Sequence, residues 1–142
     1  QVNIKNLFST LGVNLKDTCS SNLSFVRSRT THSYSGSITN DFELCWDVHR
    51  YLLNIVRPKN ILCNGSKARD FILKKMIGVK HDSHQEKRVS NKLKCYFDVG
   101  NIFISDTDEP LIGVRLFSIP HLGIYPFYHE GAQWMKTLSM DN

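Results

Sequence analysis

Apolar positions recur along this chain with two different periods, and the alternation of those periods outlines a fold. Ile4, Leu7, Phe8 and Leu11 keep helical spacing, closed by Gly12. Leu23, Phe25 and Val26 in NLSFVRS (22–28) suit a strand, and the Ser/Thr-rich RTTHSYSGSIT (29–39) reads as a long loop. Phe42, Cys45, Trp46, His49, Leu52, Leu53 and Val56 fall on one helical face. Asn40 with Glu43 three residues later fits the cap of that helix, and Pro58 stops it. NILCNG (60–65) has the pattern of a buried strand, after which Ser66 caps a helix with Ala68, Phe71, Ile72 and Met76 inside and Gly78 as its end. Two β-rich runs within 92–106 flank Gly100-Asn101 and predict a hairpin. Residues 111–120 predict a strand, and 127–138 a last helix facing inward with Phe127, Ala132, Trp134, Met135 and Leu138.

Strands that alternate with helices predict an α/β fold: a three-layer α/β/α sandwich with a mostly parallel central sheet and one β-hairpin, formed by residues 1–142 as a single domain. Ligands of such sheets bind outside the carboxyl ends of the strands. Arg27 to Ser37, Asn64 to Ser66 and Ser118 to Tyr125 occupy those ends.

Composition narrows the picture only moderately. The chain has 142 residues, 41% hydrophobic and 22% charged, an ordinary globular balance. No apolar run approaches the ~20 residues needed to span a bilayer. Residues 1–20 do not show a secretory leader, so free thiols in a reducing, cytoplasmic compartment (or nuclear, in a eukaryote) are expected. Cys19, Cys45, Cys63 and Cys95 include no CxxC pair, and no His/Asp/Glu set has metal-ligand spacing, so no metal and no cofactor is expected. The net charge of +5 tolerates a polyanionic partner without demanding one. Seven Lys/Arg fall between Lys74 and Lys94, against Asp82 and Glu86. They form either a solvated surface loop or a phosphate-contacting edge.

Three places carry candidate chemistry. Asn64, Gly65 and Ser66 open a helix directly after a strand, where free N–H groups can hold an anion; a tight strand-to-helix turn is the structural alternative. GxGxxG and P-loop patterns are both absent. Arg27 and Arg29 leave the first strand ahead of His32 and Tyr34, a set that suits phosphates and stacked bases or simply a solvated loop. His121 follows a strand and Pro120, and a neutral imidazole held there can donate a hydrogen bond to an oxygen that gains charge; the alternative is a histidine bonded at a packed corner. His49, on an apolar helix face, reads as a satisfied core histidine.

With these elements placed, the chain resembles the later part of the uracil-DNA glycosylase superfamily. DFELCWDVHRYLLNIVRPKNILCNGSKARDFI (41–72) is similar to that superfamily's helix, RP, strand, GxxA, helix passage. IPHLGIYPF resembles its final strand and histidine loop, and IKNLFSTLGVNLKDTCSSNLSFVRSR its preceding helix, LG, strand passage. The resemblance implies that His121 polarises the carbonyl of a flipped base and that Leu122, Gly123, Ile124 and Tyr125 form the loop entering the minor groove, with Leu122 and Ile124 as wedge candidates. It implies DNA as partner, single-stranded or a damaged duplex, and no membrane; a monomer is expected. The chain departs from the family elsewhere. Residues 1–20 contain no Gly-rich loop with a water-positioning acid or amide, no asparagine ends SFVRSR, and the loop after His121 lacks Pro-Ser.

Three functional expectations stand. The first is a DNA N-glycosylase-like hydrolase of a base–sugar bond, with the activating group supplied by residues that are missing from this chain or lost from it. The second is a non-catalytic nucleic-acid or nucleotide binding module on the same fold, contacting phosphate through Arg27, Arg29 and the Lys74–Lys94 stretch. The third is a domain that binds a protein partner.

Overall fold

A computed structural model describes residues 2–25, 37–79, 84–104 and 109–140. The described elements are α1 (Val2–Leu11), a 3₁₀ turn (Leu15–Asp17), α2 (Ile38–Val56), β1 (Asn60–Asn64), α3 (Ser66–Lys75), β2 (Met76–Ile77), β3 (Gln85–Arg88), β4 (Lys94–Ile102), β5 (Leu111–Ile119) and α4 (His129–Met140). The protein is α/β, as the alternating periods predict.

The sheet departs from the expected parallel arrangement. Its order is β1-β5-β4-β2, with β3 also on β4, and among the described strands only β1 and β5 run parallel, in register from Asn60↔Arg115 to Asn64↔Ile119. β4 is antiparallel to β5, β2 and β3. Two local readings caused the error. Asn22–Phe25 form no strand, and residues 26–28 lie outside the described residues. The expected hairpin at Gly100-Asn101 is instead one nine-residue strand with an irregularity between Gly100 and Ile102. Gly100 is there for room: a Cβ at this position would lie 2.9 Å from Met76 Cε and 3.3 Å from Ile77 O. Asn-Gly chemistry marks a turn only where the chain is free to reverse.

The element boundaries follow the caps. Ser37, not Asn40, caps α2, its side chain accepting from the Asn40 N–H, and Arg57 closes the helix in the left-handed region at φ 43° before Pro58. Gly65, not Ser66, stands at the N-cap of α3. That helix ends at Lys75, short of Gly78, because Met76 and Ile77 turn to pair with β4.

Two apolar clusters form on the sheet. One joins Trp46, Phe71, Ile72, Met76, Ile102, Leu111, Val114 and Leu116, with Phe42 and Leu53 against it. The other joins Leu7, Cys95, Phe97, Phe117, Ile119, Ala132 and Met135, with Leu122, Phe127 and Trp134 against it. Leu116 and Phe117 fall in different clusters, the two-residue alternation of a strand buried on both sides. His49 is a satisfied core histidine: it is buried, its Nε2 lies 3.1 Å from Leu23 O, and its ring stacks on Phe25. Val56, expected inward, is 44% exposed, and Leu44, Val48, Tyr51 and Ile55 form an exposed apolar stripe on the outer side of α2. Among the described residues no helix is long and apolar enough to cross a membrane.

All four cysteines are free thiols. Burial pushes the Cys63 thiol up to about 12 and the Cys95 thiol up to about 11. At pH 8 an alkylating reagent is therefore expected to label exposed Cys19 in the native protein and to reach Cys63 and Cys95 only after unfolding, as read by mass spectrometry. The sign for stability follows. Each raised thiol contributes stability that is fully present below the unfolded value of about 8.5 and is lost as pH climbs toward 11–12.

Candidate functional site

The parallel pairing of β1 with β5 brings two of the three expected ligand segments together. Asn64 ends β1 opposite Ile119, so Asn64-Gly65-Ser66 and the loop after Pro120 leave the same edge side by side. The Gly65 N–H donates to Ile119 O at 2.9 Å, the Leu122 N–H donates to Asn64 Oδ1 at 2.8 Å, and Asn3 Nδ2 of α1 donates to Leu122 O at 3.1 Å. The loop is tied to β1 and α1 before its own contacts are considered. Its internal frame is a turn in which the Ile124 and Tyr125 N–H groups both donate to His121 O at 2.9 Å.

The imidazole of His121 sits between two glycines. A Cβ on Gly65 would be 3.5 Å from His121 Cδ2, and one on Gly123 would be 3.0 Å from its Cε1. Gly65 also has φ +110°, a backbone angle that disfavours any side chain. The Gly123 N–H donates to His121 Nδ1 at 3.1 Å. Nδ1 thus carries the lone pair of the neutral ring, and the proton is on Nε2. Nε2–H has no partner among the described residues and the residue is exposed, so the site offers a free hydrogen-bond donor. Asn64 adds a second donor: its Oδ1 is spent on Leu122, leaving Nδ2 available.

The other expected site residues divide. Ile124 is 72% exposed and Tyr125 39%, as a contacting loop requires. Leu122 packs into the cluster around Phe97 and Phe117, so of the two wedge candidates only Ile124 projects. The helix-start site is partly used, because the Gly65 N–H is bonded to β5. Arg27 and Arg29, with His32 and Tyr34, lie outside the described residues. Much of the basic stretch is not loop: it holds the end of α3, β2 and β3.

A second polar cluster escaped the sequence reading. Asp98, 2% exposed on β4, accepts from Arg69 Nε at 3.1 Å and Nη2 at 2.7 Å through Oδ2. Its Oδ1 lies 2.7 Å from His84 Nδ1. Arg69 also reaches Asp70 at 3.2 Å and lies 4.5 Å over the Tyr96 ring, on which His84 stacks. A carboxylate only accepts, so His84 Nδ1–H donates to Asp98, whereas His121 Nδ1 accepts. Asp98 pairs with Leu116, three residues before Ile119, which separates the two sites by about 10 Å along the sheet. Nothing in the sequence marks this cluster: Arg69, Asp98 and His84 are far apart in the chain, and Asp98 interrupts an apolar run where a turn residue is the usual reading. Among the described residues no His/Cys/Asp/Glu group could hold a metal ion.

Compared with known proteins, the chain matches no family model, no curated protein and no solved structure.

Proposed function

We propose that the chain is a nucleic-acid binding domain in which His121 Nε2–H, with the Asn64 amide beside it, donates to a carbonyl or phosphate oxygen of a nucleotide. The observation that carries this is the Gly123 N–H on His121 Nδ1, which fixes the exposed nitrogen as a donor. An imidazole at a satisfied packed corner would spend that donor on its own chain. The net charge of +5 is compatible with a polyanion. In this reading the helices of the two apolar clusters are the outer layers of an α/β/α sandwich, the arrangement implied by the likeness to uracil-DNA glycosylases.

A second reading, N-glycosylase chemistry, draws on the same atom. A donor aimed at the oxygen of a leaving base stabilises the charge that develops there. Binding is favoured over hydrolysis because, among the described residues, no Asp or Glu is hydrogen-bonded to His121 or Asn64, so no carboxylate is in place to activate water.

Fluorescence anisotropy with labelled DNA at about 50 mM and about 200 mM salt tests the proposal. Affinity is expected to fall steeply with salt, and His121→Ala to weaken binding about five-fold, the worth of one hydrogen bond of about 1 kcal/mol. Absence of binding by the wild-type chain overturns the proposal. Alkali-labile sites formed in uracil-containing DNA, and lost in His121→Ala, would put the hydrolase in its place.

A further inference from the structure

The turn that joins β3 to β4 faces the loop that carries His121. Ser90, Asn91, Lys92 and Leu93 on one side and Tyr125 on the other line an open groove of about 540 Å³. The groove is shallow and wide open to solvent, so a ligand lies along it rather than inside it. Both walls are set by backbone bonds. The Val89 and Ser90 N–H groups donate to Leu93 O at 3.0 and 3.3 Å, and the Tyr125 N–H donates to His121 O at 2.9 Å.

Its chemistry is divided between the walls. Tyr125 contributes an aromatic ring that is 39% exposed. The side chains of Ser90, Asn91 and Lys92 contribute hydrogen-bonding groups that have no partner in the chain among the described residues. The neighbouring charges favour an anion. Lys94 is held by Glu86 at 2.6 Å, while Lys87, Arg88 and Lys92 form no ion pair among the described residues. An aromatic ring, an ammonium group and small polar side chains along one groove suit a base attached to a phosphate.

We infer that this groove is a subsite for single-stranded nucleic acid, with Tyr125 stacking one base and Lys92, Ser90 and Asn91 holding the adjoining phosphate. The inference rests on the nucleic-acid reading of the His121 loop and extends it: Tyr125 belongs to the same turn as His121, so consecutive nucleotides of one strand occupy the two places. A single strand is specified because the Tyr125 face requires a base whose own face is free, which a continuous duplex does not offer.

The test uses labelled single-stranded DNA and RNA of about 12 nucleotides, within the range of such sites, and a duplex of the same sequence. Tyr125→Ala is expected to weaken single-strand binding about ten-fold and Tyr125→Phe to restore it, because stacking needs the ring and not the hydroxyl. Lys92→Gln is expected to lower the salt slope by about 0.7, the contribution of one phosphate on a single strand. Unchanged melting curves for these exposed positions separate lost contact from lost folding. Wild-type binding that is undiminished in Tyr125→Ala and Lys92→Gln overturns the groove and leaves the His121 reading intact. A duplex bound as tightly as the single strand, with the same sensitivity to Tyr125, overturns the single-strand assignment. A wild-type chain that binds no nucleic acid overturns both readings.

Discussion

Asp98→Ala is expected to cost about 3–5 kcal/mol of folding stability, the largest loss of any single substitution considered for this chain. The reason is the charge left behind. Arg69 is buried, with its side chain 11% exposed, and two of its nitrogens bond to one oxygen of Asp98. Removing Asp98 leaves the guanidinium on the Tyr96 ring with Asp70 as its one carboxylate among the described residues, and that side chain is 59% exposed and screened by water. Three controls isolate the effect in denaturant titrations. Asp70→Ala is expected to change stability by less than about 1 kcal/mol, because that pair is largely at the surface. Asp98→Leu combined with Arg69→Met is expected to recover most of the loss, since the buried charge goes with its partner. His84→Ala is expected to cost less than Asp98→Ala, because its ring is 45% exposed. A loss below about 1 kcal/mol for Asp98→Ala would show that water reaches Arg69 and that the bond does not hold α3 to β4.

The second large effect is at Gly131, inside α4. Helix propensity alone makes Gly131→Ala stabilising by up to about 1 kcal/mol. The structure reverses the sign. A Cβ there would lie 2.7 Å from Cys95 Sγ and 3.0 Å from Val89 Cγ1, and Cys95 is 1% exposed. Overpacking of this kind costs about 1–3 kcal/mol. Cys95→Ala vacates the space, so the double variant is expected to lose less than the sum of the two single losses, a coupling that a double-mutant cycle reads directly. A stabilised Gly131→Ala protein would mean that α4 sits farther from β4 than the contact requires.

Gly131 shows how far local rules reach in this chain. Read from the sequence, the residue only weakens a helix; in the fold it is what lets α4 approach β4. Gly100 makes the same point for the sheet, where an Asn-Gly signal points to a hairpin and a close approach to β2 explains the glycine. The basic stretch misled in a third way. Gln85–Arg88 has every side chain exposed, so β3 carries no apolar alternation to reveal it and is held through the edge of β4.

The sequence by itself determined α1, α2, β1, α3, β5 and α4 to within a few residues, because each has an apolar face whose period matches its geometry and a proline, glycine or cap near an end. It also determined that His121 leaves a strand on a stiff loop. Only the tertiary structure decided which strands lie side by side, because pairing depends on partners distant in the chain. That pairing makes the sheet mixed and sets Asn64 and Gly65 against His121. It packs Leu122 partly against the core while exposing Ile124, and it gathers Arg69, Asp98 and His84 into one network. Hydrophobic period reports which face of an element is buried; the atom that a buried or exposed polar group meets is fixed only when the elements pack.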